Sequence, residues 1–228
     1  MHRRPSHHLR DPPRATAGAV LSVTMGIIEL LLAGIWGYLI GAVPTGVLVC
    51  RVLQSTDVRQ QGSGHTGRLN VSRVAGLWAG ALTAVVDALL GAAAIAGAMI
   101  VTGNPWAATA AGVMAVIGHD WSVYIRFDGG IGLAKFAGAL LCLSPLSTLI
   151  ALSILVPSWL ILMGLLQVHR ARSTVLVVAA VGPLLWALGL PPNGILLGVL
   201  GGAVIIIKTL PDWNRQYGPV EQDLAKSG

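Results

Sequence analysis

Between two long apolar runs lies Gly62-Ser63-Gly64-His65-Thr66-Gly67-Arg68-Leu69-Asn70-Val71-Ser72-Arg73, a stretch of glycine turns, hydroxyl and amide side chains, and two arginines. A second polar stretch runs from Gly118-His119-Asp120 through Arg126-Phe127-Asp128-Gly129-Gly130-Ile131-Gly132. Closely spaced glycines let backbone N–H groups converge on an anion, and a helix starting near Asn70 adds the positive end of its dipole. Arg68 and Arg73 supply forked, charge-assisted bonds to phosphate oxygens. Arg126 and Lys135 flank the second glycine turn and repeat that chemistry. His119 has two readings: a proton acceptor for a hydroxyl nucleophile, oriented by Asp120, or an interfacial histidine bonded to a loop carbonyl. The same two readings stand for His65. Arg51 and Arg59 read as cations that set topology, and Asp87, alone in an apolar run, as one end of an interior salt bridge or helix-to-loop bond.

Gly62, Gly64 and Gly67 spell GxGxxG, but a dinucleotide site needs a preceding buried strand and an acidic residue about 20 positions on. Here a membrane helix precedes the glycines, so that reading is disfavoured. Only 11% of the 228 residues are charged against about 25% in a typical soluble domain, and 54% are hydrophobic, so the chain is read as a membrane protein. The net charge of +6 is concentrated in loops and tails, where it orients the chain and attracts anionic lipid or phosphate; no basic soluble face offers itself to nucleic acid. Cys50 and Cys142 read as two buried thiols, with no second ligand at metal spacing.

These loops must be positioned by an all-α, polytopic membrane bundle. Residues 1–24 mix arginines, histidines and prolines and are expected to be a disordered basic tail; 25–217 form the membrane domain, and 218–228 a flexible tail. The first apolar run, Gly26 to Cys50, exceeds the ~20 residues of a crossing and is interrupted at Pro44-Thr45-Gly46. Further runs cover 74–101 and 107–124, separated by the turn Thr102-Gly103-Asn104-Pro105. No residue from Phe136 to Val168 is charged, and one straight helix of that length would span roughly 50 Å against a core of about 30 Å. It must therefore break, at Ser144-Pro145. Pro191-Pro192-Asn193-Gly194 splits the last apolar run. Counting the short piece before Ser144 as a crossing gives about seven transmembrane helices. Both polar stretches, the basic loop His169-Arg170-Ala171-Arg172 and the C-terminal tail then share the cytoplasmic face.

These residues resemble a family, the bacterial acyl-phosphate:glycerol-3-phosphate acyltransferases (PlsY), over most of residues 26–217. Tyr38-Leu39-Ile40-Gly41-Ala42-Val43-Pro44-Thr45-Gly46 is similar to the family's YLLGSIPTG. Against GSGNxGATNxxR, the first stretch matches at Ser63, Gly64, Gly67, Asn70 and Arg73, with His65, Arg68 and Leu69 replacing Asn, Ala and Thr. Against GHxxPVxxxFKGGKGVAT, the second matches at Gly118, His119, Val123, Phe127, Gly129, Gly130, Gly132 and Ala134. Ser122, Asp128, Ile131 and Lys135 stand where Pro, Lys, Lys and Thr are usual. The family's third motif, HxxNIxRLxxGxE, leaves little here beyond Arg215, and its Asp-x-x-Lys-Gly leaves Asp87 and Gly91.

The resemblance implies transfer of an acyl group from acyl phosphate to the 1-hydroxyl of glycerol 3-phosphate, giving lysophosphatidic acid in phospholipid synthesis. It implies Ser63, Asn70, Arg73 and His119 as catalytic residues. Gly62, Gly64, His65, Gly67, Arg68, Arg126, Gly129, Gly130 and Lys135 would bind substrate, with Lys135 and Arg68 as replacement cations. No metal or organic cofactor is implied, the acyl chain lies against membrane lipid, and the site faces the cytoplasm from a bacterial inner membrane. The altered motifs favour a second reading, a divergent homologue with another acceptor or a non-catalytic lipid-phosphate binder. A small transporter is disfavoured, since only Glu29 and Asp87 lie within the apolar runs and no internal repeat is evident.

Overall fold

The computed structural model describes residues 14–215, with side chains from residue 22 onward, and among these every regular element is helical. The expected tails lie partly (1–24) and wholly (218–228) outside the described residues. Helix α1 (Arg14–Gly41) begins before the expected boundary at residue 25. Past Pro13 the segment Ala15-Thr16-Ala17-Gly18-Ala19-Val20-Leu21 holds no proline, so the helix extends back to that point.

Pro44 has no N–H to donate to the helical ladder, and the chain breaks there before resuming as α2 (Thr45–Gln54). A 3₁₀ turn at Val58–Gln60 leads to α3 (Arg68–Ala75), and Gly76, with φ of +90°, redirects the chain into α4 (Leu77–Thr102). Gly103 in the left-handed region ends α4, and the Asn104 side chain caps α5 (Pro105–Asp120) by accepting the Trp106 N–H at 3.0 Å. The same Asn104 donates to Glu29 on α1 at 2.9 Å, which gives the lone acid of the first apolar run its partner.

The long uncharged run breaks at Ser144 as the prolines require, into α6 (Leu133–Leu143) and α7 (Pro145–Leu160). Pro157 removes one ladder bond, and α7 relaxes into a π-helical turn over Ile161–Leu165. Helices α8 (Arg170–Ala179), α9 (Val181–Ala187) and α10 (Pro192–Thr209) follow, the last ending in a 3₁₀ turn, Leu210–Asp212. Five helical segments among the described residues are long and apolar enough to cross a membrane. The expectation of seven also counts α5, of 16 residues, and α6, of 11. At 1.5 Å per residue α6 rises only about 16 Å, roughly half the hydrocarbon thickness.

α1 lies along α5, α4 lies along α5 and α6, and α10 packs on α5, α8 and α9. Between α1 and α5 the backbones nearly touch: a Cβ on Gly41 would collide with the Ala115 carbonyl. Between α4 and α6 the same closeness recurs, with Gly138 against Ala88. Lipid offers no hydrophobic contrast between helices, so such small-residue contacts supply van der Waals packing that larger side chains would prevent. Ile95, Phe136, Leu140, Leu185, Leu197 and Ile205 fill the centre, while Leu31, Leu32, Ile100, Leu146 and Leu176 face outward as an apolar belt.

The four polar segments meet at one end. Arg59 reaches the Ile125 carbonyl at 3.1 Å, His65 reaches Asp212 at 2.5 Å, His169 reaches the Arg215 carbonyl at 3.0 Å, and Arg172 reaches Asn214 at 2.6 Å. A Gly138→Leu variant is expected to lose at least about 2 kcal/mol of stability by prising α4 from α6, whereas Gly26→Leu, in open space, stays within about 0.5 kcal/mol. Thermal unfolding of both variants in one detergent checks the difference.

Candidate active site

The first glycine-rich stretch is folded around one amide. Asn70, 1% exposed on the first turn of α3, donates from Nδ2 to the carbonyls of Val58, Gln61 and His65 at 2.9 to 3.0 Å. Its Oδ1 accepts the Ser63 N–H at 3.0 Å. Gly62 sits in the left-handed region at φ +57°, and a Cβ there would run into Asn70 Oδ1. Ser63 is buried beneath the turn, and its hydroxyl has no hydrogen-bond partner among the described residues.

Arg59 ties this loop to the second stretch. It grips Asp57 through Nε and Nη2 at 3.0 and 2.7 Å while Nη1 donates to the Ile125 carbonyl. Hydrogen bonding from Arg59 holds the Asp57 carboxyl down at about 2. The sign is that of a depressed acid: the clamp's contribution is complete above the ordinary carboxylate range and is lost only as pH falls toward 2. Ser122 Oγ donates to the Ala42 carbonyl, and Tyr38 Oη to that of Trp121, fastening the end of α1 to the second stretch.

Beneath both stretches lies a buried polar cluster. Lys135 on α6 is fully buried, and its ammonium donates to Asp87 Oδ1 on α4 at 2.6 Å, His119 Nδ1 on α5 at 3.0 Å and the Val43 carbonyl at 3.2 Å. An ammonium has three donors and no acceptor, so His119 Nδ1 accepts and its proton sits on Nε2. The Nε2 edge lies against Gly130, where a Cβ would strike it and crowd the Thr66 hydroxyl. Asp120 does not orient His119: its carboxylate oxygens have no hydrogen-bond partner among the described residues, and its backbone carbonyl receives Lys208 Nζ at 2.6 Å.

Above this cluster opens a cavity of about 480 Å³. Its polar end holds His65, Gly67, Arg68, Asn70, His119 and Arg170; its long apolar wall is built from Phe136, Leu140, Leu155, Trp159, Val181 and Leu185. At the polar end His65 Nε2 bonds Asp212 Oδ2, and Arg215 Nη1 holds the other carboxylate oxygen at 3.1 Å. Burial pulls the His65 imidazole below the ordinary histidine value, with Asp212 opposing and Arg170 and Arg215 assisting.

The model of the family described as glycerol-3-phosphate acyltransferase matches residues 31–216, most of the chain. The chain belongs to the glycerol-3-phosphate acyltransferase family. Curated acyltransferases of that name agree. One from Synechococcus sp. (strain JA-3-3Ab) is 39% identical over 78% of this chain and 85% of its own length. One from Rubrobacter xylanophilus is 38% identical over 79% and 87%, and one from Rippkaea orientalis is 33% identical over 76% and 83%. The crystal structure of PlsY, an integral membrane glycerol 3-phosphate acyltransferase, in its glycerol 3-phosphate form superposes with a TM-score of 0.72. It is 26% identical, covering 86% of this chain and 98% of that one. The lysophosphatidic acid form of that enzyme superposes at 0.68 with 25% identity, over 84% and 97%.

Against the acyltransferase motifs, the structure brings His65, Gly67, Arg68, Asn70 and His119 to the cavity. Gly62, Ser63 and Gly64 form the turn behind them, and Gly129 and Gly130 pack against the His119 backbone and ring. Arg73, half-buried on α3, and exposed Arg126 do not line the cavity. Lys135, expected as a replacement phosphate cation, is instead spent within the helices on Asp87, His119 and Val43. Residue 131, where the family pattern has lysine, lines the cavity as isoleucine.

Two site residues escape sequence reasoning. Arg170 reads as part of a topology-setting basic loop, and Asp212 as part of an eroded motif; only the approach of α8 and α10 to the first loop brings them in. Removing Lys135 strands Asp87 as an unpaired buried charge. Lys135→Met is therefore expected to cost about 3–5 kcal/mol in thermal unfolding, and Lys135→Met combined with Asp87→Leu to recover most of it.

Proposed function

We propose that this protein transfers an acyl group from an acyl phosphate to the 1-hydroxyl of glycerol 3-phosphate, producing lysophosphatidic acid for phospholipid synthesis. The observation that carries this reading is the form of the cavity, a cationic end with Arg68 and Arg170 beside the first glycine-rich loop, continuing into an apolar trough between α6, α7, α8 and α9. Such a shape fits an amphiphile with a phosphate head and a hydrocarbon tail. The glycerol 3-phosphate and lysophosphatidic acid forms of PlsY support the same acceptor and product.

An acyl phosphate is already activated, so the protein needs to align the acceptor hydroxyl with the acyl carbon, neutralise two phosphate groups and exclude water. Arg68 on the first turn of α3 and Arg170 on the first turn of α8 supply positive charge, each reinforced by the positive end of its helix. His119, with its proton on Nε2, donates a hydrogen bond at the polar end and stabilises charge on the acyl oxygen or phosphate. Ser63 and Asn70 hold the loop whose amides face the anion, and Arg73 and Arg126 raise the local positive potential. The apolar wall holds the acyl chain in register with the bilayer. The arginines gathered at this end support, by the positive-inside rule, a site facing the cytoplasm from a bacterial inner membrane.

The test is phosphate release by the purified protein in lipid, supplied with palmitoyl phosphate with and without glycerol 3-phosphate. Acceptor-dependent release with formation of lysophosphatidic acid is expected. Arg68→Ala and Arg170→Ala should each lower kcat/KM for glycerol 3-phosphate about 10- to 100-fold, the loss of one charge-assisted contact. Release that ignores the acceptor, or transfer only to a different alcohol, would replace this reading with the divergent-acceptor one that Ile131 and Asp128 favour.

A further inference from the structure

The two histidines at the cavity differ in which ring nitrogen is occupied. His119 Nδ1 is taken by the Lys135 ammonium, which leaves Nε2 as a donor with no lone pair to receive a proton. His65 is the reverse. Its Nε2 lies 2.5 Å from Asp212 Oδ2, and a carboxylate only accepts, so Nε2 carries the proton and Nδ1 keeps its lone pair. Among the described residues no hydrogen bond reaches His65 Nδ1. Asp212 is itself fixed, with its side chain 4% exposed and its second oxygen held by Arg215. The family pattern quoted above has asparagine at this position, and an amide takes up no proton at neutral pH.

Resting on the acyl-transfer reading, we propose that His65 is the general base of this chain's reaction, receiving the acceptor hydroxyl proton at Nδ1, with Asp212 as the positioning carboxylate that fixes its tautomer. As the acceptor oxygen forms its bond to the acyl carbon, its proton passes to Nδ1. The bond between the acyl carbon and the phosphate oxygen then breaks, and the imidazolium returns the proton to the departing phosphate, which leaves as hydrogen phosphate. No other reactant is required, and the dyad is restored at each turnover. The groups facing His65 suit a transient charge: Asp212 from the end of α10 stabilises the imidazolium, while Arg215 from the same end and Arg170 from α8 oppose its persistence, and His119 from α5 is a neutral ring. Burial keeps the resting ring neutral and so able to accept.

The experiment compares wild type, His65→Asn, Asp212→Asn and His65→Ala in lipid, with palmitoyl phosphate and glycerol 3-phosphate. His65→Asn is expected to lower kcat about 10²–10⁴-fold with KM for glycerol 3-phosphate nearly unchanged. Wild-type kcat/KM should fall on the acid side, below the ordinary histidine value, as the ring is protonated; His65→Asn should lack that limb. Asp212→Asn should lower kcat in the same direction, and added imidazole should restore turnover to His65→Ala. A His65→Asn enzyme with wild-type kcat and pH profile overturns the proposal. So does a folded His65→Ala enzyme that imidazole fails to rescue, since that loss is structural. Wild type without acceptor-dependent turnover overturns the acyl-transfer reading itself, and that result is read before any variant is made.

Discussion

The structure depends on one buried ammonium. Lys135 lies where α4, α5, α6 and the break after α1 converge, and its three protons satisfy a carboxylate, an imidazole and a broken helix's carbonyl at once. In a bundle surrounded by hydrocarbon, a buried polar group left without a partner costs several kcal/mol. Asp87 compensates the charge, Val43 gains a partner where Pro44 interrupts the ladder, and His119 is held in one tautomer. Position 135 is a threonine in the family pattern, and the pattern's lysine near Asp87 is Leu90 here. A cation needed beside that aspartate is thus supplied from another helix.

Close backbone contact makes that convergence possible. Gly91 and Gly138 let α4 and α6 touch, so Asp87 and Lys135 meet at bonding distance across two helices rather than across a layer of side chains. The same economy of bulk operates at the surface end. Gly62 and Gly64 turn the first loop in the left-handed region, Asn70 ties its carbonyls inward, and Gly130 makes room for the His119 ring. Carbonyls bound inward leave the loop's free amides and Arg68 available to an anion.

Two consequences follow for chemistry. The first is a division of labour between histidines, since Lys135 makes His119 a donor while Asp212 leaves His65 an acceptor. The second concerns which cations line the cavity. With isoleucine at 131 and aspartate at 128, the arginines that line the cavity are Arg68 and Arg170. Asp128 is drawn off toward Arg59 at 3.7 Å, where it strengthens the clamp between the two stretches.

Membrane residence, the helix breaks at Pro44, Ser144 and Pro191, the turn at Gly103-Asn104 and the family were all legible in the sequence. These rest on composition, hydropathy and turn chemistry, which are properties of neighbouring residues. Tertiary structure alone decided that Lys135 faces Asp87, that Arg170 lines the cavity and that Asp212 meets His65. His65 and Asp212 lie 147 positions apart, and Lys135 and Asp87 lie 48 apart. Their meeting is set by which helix faces pack together, and local patterning carries no record of that choice.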